Sequence, residues 1–441
     1  MQAADLETDF DQGTPRARAG RASRALALIA VSVAAILVTG AIYLYPTFGA
    51  SSAPAQPAAP QLRADYRVAS VNFISPTSGW LVVDFPSGDF AVIHTTDGGT
   101  TWTRQLTAPS QSHAVYARFF DDLSGVVALV GARPVLSRTT DGGQSWTSIP
   151  ALKSSSTVLS WSFVDSLYGW MLARATAAAT PRLYRTEDGG FTWLDLGVPV
   201  AAPDQAFQVQ FSHFTTGWLS TVSAGRYAYR TDDFGATWTR VPLPATGPAR
   251  PAGGEYFVAV RPTTGLGALA TVVYFPPVKG RTGVGGVVRA YPPLTVRAFD
   301  GGRPHTYIYT TVLDEVVTGP FAEEPPPNQA ELGTIDAGKT WSAVAPPGDS
   351  GAIGYFDASH WWWIGGGMFA GSADAGVTWT DPRHIGVVDP MPGSLEVLDR
   401  EHAWFAAQSA SRPSLEITGD GGRHWTLMSL PPLEDSPTDD Q

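Results

Sequence analysis

A pattern of four fixed positions occurs seven times along this chain and constrains its fold more than any other feature. Asp97, Asp141, Asp188, Asp233, Asp336, Asp374 and Asp420 each have Ser or Thr two residues earlier, Gly two residues later and Trp five residues later. The tryptophans are Trp102, Trp146, Trp193, Trp238, Trp341, Trp379 and Trp425. The second copy reads RTTDGGQSW from Arg138 to Trp146. An Asp at the head of a turn accepts backbone N–H groups two and three residues on. A Gly after it permits positive φ. Each copy therefore predicts an acidic hairpin turn that ends on a large aromatic side chain.

Most copies have an upstream partner, a small residue followed by an apolar one: Gly79-Trp80, Gly125-Val126, Gly169-Trp170, Gly217-Trp218 and Ala403-Trp404. An aromatic often lies six positions earlier still, as at Phe73, Phe163 and Phe211. One repeat then reads as four short strands in roughly 45 residues, the size of a propeller blade. Successive aspartates are 44, 47, 45, 103, 38 and 46 residues apart. The long gap predicts a degenerate unit, with Gly265-Leu266 and Gly319-Pro320 on the upstream rhythm and Asp300-Gly301-Gly302 as a decayed turn. That gives eight units; the alternative is seven, with Phe275 to Pro327 partly an insertion. The expected fold is all-β, a β-propeller of seven to eight four-stranded blades over residues 66–430. The 46 Gly, 36 Pro and 15 Trp suit short strands and many turns.

The pattern S/T-x-D-x-G-x-T/S-W resembles the Asp-box or BNR repeat of sialidases, some glucanases, sortilin-type receptors and photosystem II assembly factor propellers. The apolar, Gly-Trp and TDGGxTW rhythm is most similar to the assembly factor type. That resemblance implies a protein-binding scaffold with the boxes on the rim, away from the binding face. The residues agree with a structural role, because seven equivalent aspartates spread around a ring cannot converge on one substrate. Each Trp is expected to fill the gap between neighbouring blades.

Ahead of the repeats, Ala25 to Tyr45 carries no charge over 21 residues. As a helix it would span about 31 Å, the thickness of a bilayer core. Arg16, Arg18, Arg21 and Arg24 precede it and the next charge is Arg63. The positive-inside rule predicts a single-pass cell-membrane protein with a cytoplasmic amino terminus and an extracytoplasmic propeller. A signal peptide cleaved near Ala50 or Ala53 is the competing reading. Residues 1–24 read as a disordered cytoplasmic tail, 46–65 as an Ala/Pro/Ser linker and 431–441 as an acidic tail.

Net charge is −11, which argues against nucleic acid as a partner. With no cysteine there is neither disulfide nor thiolate chemistry. Eight histidines show no HxH or HxxxH spacing, so no metal and no cofactor is expected. Sialidases carry an Arg-Ile-Pro motif and a Tyr–Glu pair. Here Arg-Pro occurs at Arg133, Arg261, Arg303 and Arg412 without Ile, and no Tyr–Glu pair is assignable. Glucanases with this repeat use two aspartates; Asp84, Asp121, Asp122, Asp165 and Asp357 are available, and turn roles explain Asp121 and Asp165. Gly333 to Thr340, GTIDAGKT, fits the P-loop formula but lies across a box. Trp361-Trp362-Trp363 predicts packing between blades; a sharper reading makes Trp362 or Trp363 an exposed platform for a sugar or a partner. The expected function is a non-enzymatic protein-binding or assembly scaffold. The alternatives are a glycoside hydrolase or sialidase-like enzyme, and a glycan-binding lectin-like module.

Overall fold

The computed structural model describes residues 66–433. Left out are 276–327 and short stretches at 110–114, 130–133, 151–155, 177–178, 246–252, 349–350, 392–393 and 410–411. The apolar segment 25–45, the linker, the amino-terminal tail, residues 434–441 of the acidic tail and the decayed turn at Asp300 lie outside the described residues. Among the described residues no helix is long and apolar enough to cross a membrane.

Among the described residues every regular element is a strand, and the strands fall into seven antiparallel units of four. The first unit runs Arg67–Phe73, Gly79–Asp84, Asp89–Thr95 and Thr103–Pro109, each strand bonded to the next. The others occupy residues 115–150, 157–197, 205–242, 255–343, 352–384 and 396–429. The meander follows from composition: short apolar runs that alternate or are fully buried, cut by Gly- and Asp-bearing turns.

The seven-unit alternative describes these strands, and the eight-unit count does not. Asn328–Thr334 pairs directly with Ala268–Phe275, so the Asp336 box completes the unit that begins at Glu255. The long gap is an excursion between the second and third strands of one unit. The phase-keeping residue there is Ala268, paired with Thr334, as Gly79 pairs with Thr95 and Gly217 with Thr231. Gly265 instead sits in the preceding turn, at φ 68°.

Units four and five depart from the pattern. The second strand of unit four, Gly217–Ser223, bonds the first strand of unit five through Thr221, Val222 and Ser223. This joins the two units in one eight-stranded sheet. A small cluster at the junction stacks Phe207 on Phe257, with centroids 4.3 Å apart.

Each unit packs face to face on the next through its own apolar seam. The seventh packs on the first through Trp404, Leu415 and Leu430 against Val71, Phe73 and Leu81, closing a ring. Among the described residues no strand is exchanged at closure. The Tyr66 hydroxyl donates to the Pro431 carbonyl at 2.7 Å and ties the two ends of the domain.

Seam geometry explains the Gly-Trp pairs. Phe73 stacks on Trp404, Phe119 on Trp80 and Phe211 on Trp170, at 4.1, 4.0 and 3.6 Å between centroids. Each Phe also covers the glycine six residues on, so a Cβ at Gly79 or Gly125 would lie 2.3 Å from the ring. Units two and five have Val126 and Leu269 where the other units have Trp, and Trp161 of unit three occupies the seam beside Val126, donating to the Leu129 carbonyl at 3.1 Å.

Candidate functional site: the box rim and the axial end

The seven boxes share one hydrogen-bond scheme. In the second, the buried Thr139 hydroxyl donates to Asp141 Oδ1 at 2.9 Å and accepts the N–H of Asp141 and of Gly143 at 3.3 and 2.8 Å. Asp141 in turn accepts the Ser145 N–H at 2.9 Å and the Ser145 hydroxyl at 2.5 Å. The aspartate thus reaches four residues on, not the two or three the sequence suggested, because the threonine hydroxyl serves the nearer amide. The same bonds recur around Asp97, Asp188, Asp233, Asp336 and Asp374. In the last box His424 replaces the hydroxyl residue and bonds Asp420 at 2.5 Å.

These bonds favour the ionised carboxylates. The Ser145 hydroxyl and N–H hold Asp141 down at about 2. The Thr101 N–H and hydroxyl lower Asp97, and the His424 N–H is the largest influence lowering Asp420. At Asp188, Asp233, Asp336 and Asp374 partial burial pushes upward, and the hydrogen bonds outweigh it.

Every box also meets the unit before it. A Cβ at Gly143 would strike Gln105, at Gly190 Leu136, at Gly338 Trp218 and at Gly422 Phe369, each on the preceding unit. All four glycines have positive φ, so both conformation and contact demand glycine. The box tryptophans are half-buried members of these seams. Trp102, Trp146, Trp238 and Trp379 donate to their own box glycine carbonyls at 2.9 to 3.2 Å. Trp193, Trp341 and Trp425 leave the indole nitrogen buried without a partner among the described residues.

The remaining candidate residues are also accounted for by structure. Asp121 and Asp165 cap turns, accepting two backbone N–H groups each at 2.6 to 2.8 Å. Asp357 does the same and pairs with His360 at 2.8 Å. Asp84, at the other end of unit one, pairs with Arg67 at 3.0 Å. GTIDAGKT lies on the end of a strand and a box, and the element after it is a strand, not a helix. Trp362 and Trp363 are 6% and 3% exposed, so neither is the platform the sharper reading required. The strand they occupy lies inside its sheet, between two bonded neighbours, and its faces fill the seams on either side. No group of three His, Asp or Glu among the described residues is placed to hold a metal.

A second column of equivalent positions, on the first strand of each unit and paired with Trp80, Val126, Trp170, Trp218, Leu269, Trp362 or Trp404 of the second, was not visible in the sequence. Around the ring it reads Asn72, Arg118, Ser162, Gln210, Arg261, Gly354 and Glu396. Part of it stitches units together. Asn72 accepts the Phe119 N–H at 2.7 Å and donates to Glu396 at 3.3 Å, and Ser162 accepts the Phe211 N–H at 2.8 Å. Arg118 and Arg261 are exposed. Tyr355 of unit six feels both arginines, although burial is the larger influence and raises its hydroxyl. Burial also pushes Glu396 up to about 7, with Arg118 and Asn72 pulling the other way. Arginines of units two and five, a tyrosine of unit six and a glutamate of unit seven thus share one field at the axis. The column carries one carboxylate.

Comparison with known proteins finds one family model over part of the chain and distant similarity to solved structures. Residues 56–154 match the family model described as photosynthesis system II assembly factor YCF48. Similar solved structures include YCF48 bound to D1 peptide, with 16% identity and a TM-score of 0.44 over 84% of this chain and 88% of that one. YCF48 from Cyanidioschyzon merolae has 17% identity and a TM-score of 0.42 over 83% and 99%. The GH74 xyloglucanase from Xanthomonas campestris has 14% identity and a TM-score of 0.30 over 82% and 72%. Similarity this distant carries no activity, ligand or partner across. No curated protein sequence matches the chain. Seven boxes with one bonding scheme and seven four-stranded units among the described residues make this a BNR-type β-propeller fold, and residues 56–154 are similar to the assembly factor family.

Proposed function

We propose that this protein is a non-enzymatic scaffold that binds another protein, held outside the cell membrane by an amino-terminal helix over residues 25–45. The observation that carries the binding role is the contrast between columns. The boxes repeat and their aspartates are consumed by their own turns, while the axial column differs from unit to unit and presents Arg118 and Arg261 to solvent. A surface that varies over a constant frame is where a repeat protein selects its partner. The assembly factor described by the matching family model is in keeping with that role.

Full-length protein carrying a carboxy-terminal tag, solubilised from membranes, is expected to retain a specific partner that the Arg118→Ala/Arg261→Ala double variant loses. Retention of glycans on an array, or hydrolysis of a β-glucan or sialoside, would instead favour a lectin or an enzyme. The orientation has its own test, because the chain has no cysteine. Ser51→Cys should react with a membrane-impermeant maleimide in intact cells, and Ala3→Cys should not. Labelling of both, or release of a shortened soluble chain, would remove the anchor from the proposal.

A further inference from the structure

The box end of the ring is not uniform. In units two to four it exposes Leu123, Leu167, Phe191 and Phe234 at 59, 44, 59 and 37%. Leu123 and Leu167 form the turns that bond the boxes of their own units, through Gly142 and Gly189. The two phenylalanines are held from the preceding unit. The Arg138 guanidinium lies 6.0 Å from the Phe191 ring and donates to the Asp188 carbonyl at 3.2 Å. Arg185 lies 5.6 Å from Phe234. Tyr168 and Phe214 make an edge contact at 5.1 Å between turns of the same two units. The apolar side chains therefore form an arc across three consecutive units. The equivalent positions of units one and seven carry Thr77 and Thr100, and Glu401 and Arg423; unit five exposes Leu266 and Ile335 and unit six Val377, all aliphatic, so the exposed box-end rings are those of units three and four.

Phe234 is the least expected member. It stands directly after the box aspartate with φ 62°, where four other boxes have glycine. A bulky residue is disfavoured in that conformation. The local fold is better served by glycine, so the ring is retained for something other than the turn.

Charge says what the arc accepts. Arg138, Arg185 and Arg230 are outnumbered, because each of the three boxes brings an aspartate and Asp121, Asp122, Asp165, Glu187 and Asp232 lie beside them. An acidic apolar surface repels a second copy of itself and an anionic lipid surface. The chain also enters the domain at Tyr66, at the opposite end of the first strand from the box-end turn.

We infer that the box end of units two to four is a docking surface for a basic polypeptide segment with interspersed apolar residues, belonging to a partner protein. This deepens the scaffold reading and rests on it. Apolar side chains of the segment pack between Phe191 and Phe234, and its lysines or arginines face the flanking carboxylates.

The test uses the full chain in non-ionic detergent and a fluorescent synthetic peptide of alternating Leu and Lys. Binding should be saturable, weaken with salt and fall at least tenfold in Phe191→Ser/Phe234→Ser. Leu427→Ser, equally exposed at a distant strand, should leave it unchanged. Phe234→Gly guards against misfolding: it should keep or raise Tm while still weakening the peptide. No binding, equal binding by the double variant, or equal binding of a Leu/Glu peptide would overturn the inference. So would dimers that the double substitution dissolves, or binding to phosphatidylcholine vesicles that it abolishes. A membrane partner captured as well by the double variant as by the native chain leaves the scaffold reading standing and removes this surface from it. No capture and no peptide binding removes both.

Discussion

The box column and the axial column each repeat seven times around this ring, under opposite rules. At the box, Ser or Thr, Asp, Gly and Trp are fixed, and their bond lengths agree within a few tenths of an ångström. At the axis, the equivalent position holds an amide, a guanidinium, a hydroxyl, a carboxyl or no side chain at all. The box faces the same problem in every unit: close a hairpin and meet the unit before it. The axial position has no such shared demand. Stability should therefore follow the seams and boxes, and partner choice should follow the residues that differ.

The sharpest way to break this comparison is at a seam. Trp404 is 1% exposed and stacks on Phe73 across the closing seam. Trp404→Ala should cost about 3–5 kcal/mol, read as a lower urea midpoint. An unchanged midpoint would show that closure does not rest on this stack. Thr139→Val keeps the shape but removes the acceptor for the buried Gly143 N–H and the donor to Asp141. It should cost about 1–3 kcal/mol, and the same change at Thr186 should cost the same if the boxes are equivalent. Tyr66→Phe removes one bond to Pro431 and should cost about 0.5–1.5 kcal/mol.

Titration gives the two columns opposite signs. Asp141 has a folded value depressed to about 2, so its contribution is present above the unfolded carboxylate value and is lost as pH falls toward 2. Asp141→Asn should flatten Tm against pH in that acid window. Glu396 has a folded value raised from 4.5 to about 7, so the native state binds its proton more tightly than the unfolded chain does. Stability should fall as pH rises from 4.5 to 7, and Glu396→Gln should abolish that slope. The smallest expected effect is Arg118→Ala, within about 0.5 kcal/mol for an exposed side chain, alongside a clear loss of partner capture. A large loss of stability there would make the axial column structural too.

The fold was legible because the boxes demand identical residues, and identity is what a sequence displays. The seven Asp and Trp positions, the Gly-Trp pairs and the aromatics at Phe73, Phe163 and Phe211 all lie where their spacing put them. Unit five was miscounted because the partner of Thr334 is Ala268, a residue with no signature, far along the chain. Trp361-Trp362-Trp363 could not reveal its burial, since a strand inside its sheet and one at the edge carry the same alternation. Arg118, Arg261 and Glu396 were missed because nothing marks them individually. They become a column only after the register with the second strand of each unit is known.

Closure without strand exchange has a consequence for how such a ring can change. Each unit is one continuous stretch of chain, and the seam between the last and first is built like the rest. No break point is privileged, so a permuted chain beginning at any inter-unit loop, with Tyr66 and Pro431 joined by a short bridge, preserves every seam. Duplicating or deleting a whole unit away from the bonded pair of units four and five presents similar packing faces at the cut.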